Sequence, residues 1–257
     1  MQLLRNIPEV LPQPCVATIG FFDGVHRGHR YLIEQVREVA VVHGFASGVV
    51  TFPVHPRKVV QPEYHPELLT AYEEKVALLA ETGLDYCMML DFTPEVAILS
   101  AKEFMLFLYN HYNIRALVIG YDHRFGHNRS EGFDDYVRYG QELGIEVILA
   151  HAYIDKDVAV SSSVIRQLLS EGNVSEAASC LGYDYFLNGI VVSGYRVGRK
   201  IGFPTANLRV DDPDKLVPSD GVYAVRVTVA GQSYGGMLSI GSVSYTHLRA
   251  HETRRHL

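Results

Sequence analysis

The chain has 257 residues, a length that suits two domains better than one. Apolar residues make up 47% and charged residues 20%, below the ~25% usual for globular chains, so a disordered polymer is excluded. A net charge of −6 with no basic stripe argues against a nucleic-acid partner, and no run of about 18 apolar residues offers a membrane span. The opening MQLLRNIPEVLP lacks the apolar core of a secretory signal. Cys15, Cys87 and Cys180 have neither paired nor metal-type spacing, which points to a reducing cytoplasm.

In chain order, CVATIGFF (15–22) reads as a buried strand. A helix is expected over 29–43, with Leu32, Ile33, Val36, Val39 and Ala40 on one stripe and Gly44 as its stop. ASGVVTF is a second strand, and Thr70 with Glu73 reads as a capping box opening a helix that ends at Gly83. YCMML is a third strand. Ser100 and Glu103 form another capping box ahead of a helix to about Tyr112. RALVIG is a fourth strand, a helix runs from about Glu131 to Gly144, and EVILA is a fifth strand. Two short helices follow, near 163–171 and 175–181, each closed by glycine. From Tyr183 short β-rich runs broken by Gly, Pro and Asp read as antiparallel strands of a small barrel.

Apolar strands alternating with helices predict a parallel sheet covered on both faces, with ligands beyond the strand carboxyl ends. The chemistry-bearing stretches do follow strands. In GFFDGVHRGH the glycines Gly20, Gly24 and Gly28 let an anion approach the backbone, and a helix start favours negative charge. His26 and His29, three apart at that helix start, would both reach one phosphate. This is not the Walker loop, since no Gly-Lys-Ser/Thr follows. Ser161 and Ser162 precede a helix and Arg166 stands one turn on, a second phosphate grip or an ordinary cap with a surface arginine. Asp122, Arg124, Asn128 and Arg129 lie on a loop where turn chemistry is the competing reading, and Phe125 there reads as core. Asp23 would touch a metal or fix the glycine turn. His43, His65, His111 and His151 read as surface or satisfied core residues.

Together these motifs resemble a known family. GFFDGVHRGH is similar to the HxGH signature of nucleotidylyltransferases, in the form found in bacterial bifunctional riboflavin kinase/FAD synthetases. VTFPVHPRKV resembles that family's TFxPHP segment, with Val54 at a usual proline. GYDHRFGHNRSEG resembles its GxDFRFGxxRxG loop, with His123 at a usual phenylalanine. VSSSVIRQLLSEG and GYRVGRKIGFPTANL resemble its ISSTxIR and kinase-module GxGRxxGFPTAN motifs.

The resemblance implies an α/β fold: a Rossmann-like HxGH nucleotidylyltransferase domain with a parallel sheet over 1–182, then an incomplete antiparallel β-barrel riboflavin kinase module over 183–241. It implies FAD biosynthesis, with riboflavin and ATP giving FMN, then FMN and ATP giving FAD and pyrophosphate, with Mg²⁺. His26 and His29 would be catalytic. Gly20, Phe21, Asp23, Gly24, Gly28, Ser161, Ser162 and Arg166 would bind nucleotide, and His55, Asp122, Arg124, Asn128 and Arg129 flavin. In the kinase module Gly194, Gly198, Arg199 and Gly202 would form a flap, and Thr205 and Asn207 would hold the metal. After GGMLSIG the sequence SVSYTHLRAHETRRHL (242–257) departs from the family, lacks strand alternation and reads as a non-native tail. Glu252 is therefore not assigned as the kinase base, and kinase activity is expected to be impaired. Competing readings are another small-molecule nucleotidylyltransferase, a class I aminoacyl-tRNA synthetase, which the acidic balance opposes, and a non-catalytic flavin or nucleotide sensor. Assembly with further copies is left open.

Overall fold

The computed structural model describes residues 1–5, 10–120, 123–127, 131–155, 158–193, 202, 205–241 and 246–250. The chain forms two compact units, Met1–Ser162 and Ser163–Leu257.

The first unit runs β1 (Gln2–Arg5), β2 (Cys15–Ile19), α1 (Arg27–His43), β3 (Ala46–Thr51), α2 (Pro56–Val60), α3 (Tyr72–Ala80), β4 (Tyr86–Met89), α4 (Pro94–Ala97), α5 (Ala101–Tyr112), β5 (Ile114–Ile119), α6 (Phe133–Leu143), β6 (Glu146–Leu149) and the hairpin β7 (Ile154–Asp155) and β8 (Val158–Ala159). Six strands form one sheet in the order β1-β4-β3-β2-β5-β6, and every pair is parallel. All residues of β2 and β3 are buried, as expected of apolar strands covered on both faces. The chain leaves β2 for β3 on one side, while β5 flanks β2 on the other. The carboxyl ends of β2 and β5 are thus a topological switch point, where open α/β sheets bind ligands.

The five expected strands and the main helices of this unit are present. Helix α1 starts two residues earlier than expected, because His26 caps it. The Ser100–Glu103 capping box forms, with the Glu103 carboxylate accepting from the Ser100 N–H at 2.8 Å. The Thr70–Glu73 box does not. Helix α3 begins one residue later, the Glu74 carboxylate accepts from the Ala71 N–H at 2.9 Å, and Thr70 is engaged elsewhere. Strand β1, helices α2 and α4 and the β7–β8 hairpin are absent from the sequence reading; at two to five residues each they are too short to show a repeated pattern.

Helix α7 (Ser162–Ser170) leads into the second unit, followed by α8 (Val174–Leu181), β9 (Gly189–Val192), β10 (Ala206–Val210), β11 (Gly221–Val229), β12 (Gln232–Ile240) and β13 (Thr246–Ala250). The five strands pair antiparallel in the order β11-β12-β13-β10-β9. Ala230 (φ +49°) and Gly231 (φ +79°) make the tight turn from β11 to β12; two left-handed residues match the twist of a two-residue hairpin. β11 and β9 stand at the two ends of the order, so this sheet is open among the described residues. Residues 246–250, given no strand by the sequence reading, pair with both β12 and β10. The run HLRA does alternate over four residues, too few to stand out against its Arg- and His-rich surroundings.

Candidate active site

The loop after β2 is tightly determined. Phe22 (φ +55°), Gly24 (φ +80°) and Val25 (φ +35°) all lie in the left-handed region. For a bulky Phe and a β-branched Val this is strained backbone, held only where surroundings over-determine it. Those surroundings are visible. Phe22 is buried, and its carbonyl accepts from the Val25 N–H at 3.1 Å. The Phe21 carbonyl accepts from Thr51 Oγ1 and Lys75 Nζ. The buried Asp23 carboxylate accepts from the Leu69 N–H (2.9 Å), the Thr70 N–H (3.0 Å) and Thr70 Oγ1 (3.2 Å). Thr70 Oγ1 in turn accepts from the Gly24 N–H at 3.1 Å. Asp23 and Thr70 thus stitch the glycine turn to the segment before α3.

His26 is buried and caps α1, its Nδ1 accepting from the His29 N–H at 3.3 Å. In a neutral ring this leaves Nε2–H as the donor. The two imidazoles stack, centroids 3.6 Å apart and planes 16° apart, and Phe22 meets His29 edge-on at 5.1 Å. His29 Nδ1 is buried with no hydrogen-bond partner. Burial first, then the charges of His26, Lys75 and His123, push the His29 ring well below the usual histidine range, so it is neutral at pH 7. A side chain at Gly28 would press on the His26 ring at 3.2 Å and the Val160 carbonyl at 3.4 Å, so glycine is what lets the histidines sit together.

Ser162, 139 residues further on, donates to the Asp23 carbonyl at 2.9 Å, bringing the SSSVIR motif to the glycine turn. Ser161 precedes it in the first unit; Arg166, one turn along α7, belongs to the second. Gly20 closes the strand, its N–H donating to the Val50 carbonyl at 3.0 Å. His55 caps α2 through Nδ1 and meets the Phe21 ring at 4.7 Å. Arg124 is exposed and donates to the Glu131 carbonyl at 3.1 Å. Phe125 is core, stacked on Tyr136 at 4.2 Å, as expected. Asp122, Asn128, Arg129, Gly194, Gly198, Arg199 and Glu252 lie outside the described residues.

In the second unit Gly202 is exposed at φ +81°, while Thr205 just precedes β10 and Asn207 is buried on it. The sequence reading missed Lys75 and Thr70. Lys75 had a signal, since it shares a helical stripe with Leu78 and Leu79 where a lysine is out of place. Thr70 had none, because its role is set by Asp23 from the loop after β2.

Among the described residues no group of three His, Cys, Asp or Glu is arranged to hold a metal, and no helix is long and apolar enough to cross a membrane. Residues 9–164 match the FAD synthetase family model and residues 181–256 the riboflavin kinase model, so most of α7 and nearly all of α8 fall between them. The bifunctional riboflavin kinase/FMN adenylyltransferase of Escherichia coli strain K12 is 36% identical over 247 residues, covering 94% of this chain and 78% of the relative. Its counterpart in Bacillus subtilis strain 168 is 34% identical over 227 residues, 88% of this chain and 71% of that one. A crystal structure described as a macrolide-efflux protein from Streptococcus pneumoniae shares 30% identity at a TM-score of 0.86, over 99% of this chain and 86% of that one. With two family models matched in succession and relatives aligned through both, the chain belongs to the bifunctional riboflavin kinase/FMN adenylyltransferase family.

Proposed function

We propose that the first unit transfers an adenylyl group from ATP to FMN and that the second phosphorylates riboflavin with ATP. The observation that carries the first reading is the stacked His26–His29 pair at the start of α1, at the sheet's switch point, with Ser162 drawn to the same turn. A phosphate oxygen of FMN attacks the α-phosphorus of ATP; the bond from that phosphorus to the bridging oxygen breaks, and pyrophosphate leaves with the electron pair. Such transfers need positioning and charge stabilisation more than covalent help.

His26 Nε2–H and the positive dipole end of α1 favour the phosphates, and His29 takes part in stabilising charge as pyrophosphate departs. Gly20, Phe21, Gly24 and Gly28 belong to the loop that receives the nucleotide, and Asp23 shapes that loop. Ser161, Ser162 and Arg166 are assigned to nucleotide binding as well, and the adenylyl-transfer domain is taken to run over 1–182. His55, Asp122, Arg124, Asn128 and Arg129 are assigned to flavin binding. In the second unit Thr205 and Asn207 would hold Mg²⁺. Thr205 just before β10 and Asn207 on it stand two apart along the chain, and their oxygens suit a hard cation. When bound, Mg²⁺ neutralises phosphate charge. Gly194, Gly198, Arg199 and Gly202 are assigned to nucleotide binding there.

The test is incubation with FMN, ATP and Mg²⁺, scored for FAD and pyrophosphate together. Both should appear in equal amounts; absence of FAD would leave a binding protein.

A further inference from the structure

Lys75 is 2% exposed, on a helix face it shares with Leu78 and Leu79. Its Nζ donates to the Phe52 carbonyl at 2.7 Å and the Phe21 carbonyl at 3.1 Å, and lies 3.9 Å from the centre of the Phe21 ring. Both bonds run to neutral carbonyls. With the Asp23 carboxylate facing it but its hydrogen bonds on neutral carbonyls, a buried cation is still costly against an apolar residue of the same shape, so its presence calls for a function beyond packing. The two carbonyls supply one. Phe21 follows β2 in the loop that carries His26 and His29, and Phe52 follows β3 in the loop that carries His55. One ammonium therefore joins two loops at the carboxyl ends of neighbouring strands. It also grips the peptide next to Phe22, where the left-handed backbone starts.

We infer that Lys75 is a positioning residue for the adenylyl-transfer site, clamping the Phe21 and Phe52 carbonyls together and lending a buried positive charge to the place where the ATP phosphates bind. This rests on the adenylyl-transfer reading. The groups that face Lys75 are Asp23 on the glycine turn, Cys87 on β4 and His29 on α1. Burial brings Lys75 down to about 8 against the opposing pull of Asp23 and Cys87. Burial lifts the Cys87 thiol to about 11, and His29 is already neutral, so among these groups Lys75 is the one that changes charge near pH 8. The phosphates of ATP and FMN, with a second pKa of about 6, are fully ionised there.

The experiment measures kcat/KM for ATP in FAD formation by the full chain between about pH 7.5 and pH 9.5, a profile that reports groups of the free enzyme. FAD formation from FMN isolates the first unit's activity from the second's. In the wild type kcat/KM should fall severalfold, up to about tenfold per pH unit, above pH 8. Lys75→Arg keeps its charge and should stay level across the range. Lys75→Met should be low and equally level. A flat wild-type profile overturns the inference without any variant. So does an unchanged alkaline limb in either substitution, which a purely structural lysine would leave. FAD absent at every pH overturns the adenylyl-transfer reading itself, and the role of Lys75 with it.

Discussion

The two units build their candidate sites in opposite ways. In the first, parallel strands, of which β2 and β3 are buried along their length, send every carboxyl end to one edge, and residues far apart in sequence meet there: Asp23 with Leu69 and Thr70, and Asp23 again with Ser162. In the second, antiparallel strands alternate burial, as in β11, and leave Val191 and Val222 about 70% exposed. There the candidate residues Thr205 and Asn207 sit together by adjacency in the chain. A site assembled from distant loops is sensitive to contacts remote from the chemistry, whereas a site on one strand is sensitive mainly to its own residues. That difference can be tested.

The largest effect is expected from Asp23→Ala. It strips a buried acceptor from the Leu69 and Thr70 N–H groups and the Thr70 hydroxyl, and frees a loop already strained at Phe22 and Val25. Leaving such groups buried and unpaired costs about 3–5 kcal/mol. FAD formation should be lost at a lower temperature than in the wild type, while FMN formation from riboflavin persists there. Urea denaturation with both assays read in parallel checks it. Loss of both activities at one midpoint would show that the two sites do not fail separately.

Next comes a pair of substitutions at the sites themselves. His29→Ala should lower FAD formation about 10²-fold, the scale for one lost charge-stabilising donor, and leave FMN formation intact. The fold should survive, because Ile33, Val36 and Ala40 still bury the face of α1. Asn207→Ala should do the reverse, silencing riboflavin phosphorylation alone. Steady-state rates of both reactions on each variant decide it, and equal losses in either would erase the comparison.

How much of this was legible in the sequence follows from the same contrast. The central strands β2 and β3 were readable because burial on both faces writes continuous apolar runs, and the His26–His29 turn because glycines and histidines mark themselves. The capping box at Ser100 was readable because it is local. Thr70 was misread for the converse reason: its pattern with Glu73 is a valid local signal, yet Asp23 reaches across and takes the hydroxyl. Val25 in a left-handed conformation could not be foreseen, since the strain is sustained by contacts from elsewhere in the fold. In the second unit the pairing of 246–250 between β12 and β10 was hidden, because a five-residue strand is specified by the edges it joins more than by its own residues.

The smallest expected effect concerns acid. Unfolded, His29 takes up a proton near pH 6.5; folded, burial and the neighbouring His26, Lys75 and His123 hold it neutral to well below that. A group whose folded pKa is depressed in this way binds more protons in the unfolded state. Stability therefore falls as pH drops below about 6.5, by at most ~1.4 kcal/mol per pH unit. Lys75 adds nothing in this window, because with a folded value of about 8 it is protonated in both states below about pH 7. The depressed carboxylates of Glu95, Glu103 and Glu142 act only below their ordinary value of 4.5. Between about pH 6.5 and pH 5 this part of the acid sensitivity belongs to His29. His29→Gln cannot take up the proton, so its midpoint in urea should change less over that range than the wild type's. Hydrogen exchange locates the effect: the added acid opening should appear in β2 and α1 and be absent from β11 and β12. Equal acid sensitivity in the variant would mean that the stacked pair accepts a proton without loss, and the neutral imidazole assigned to the first unit would then be wrong.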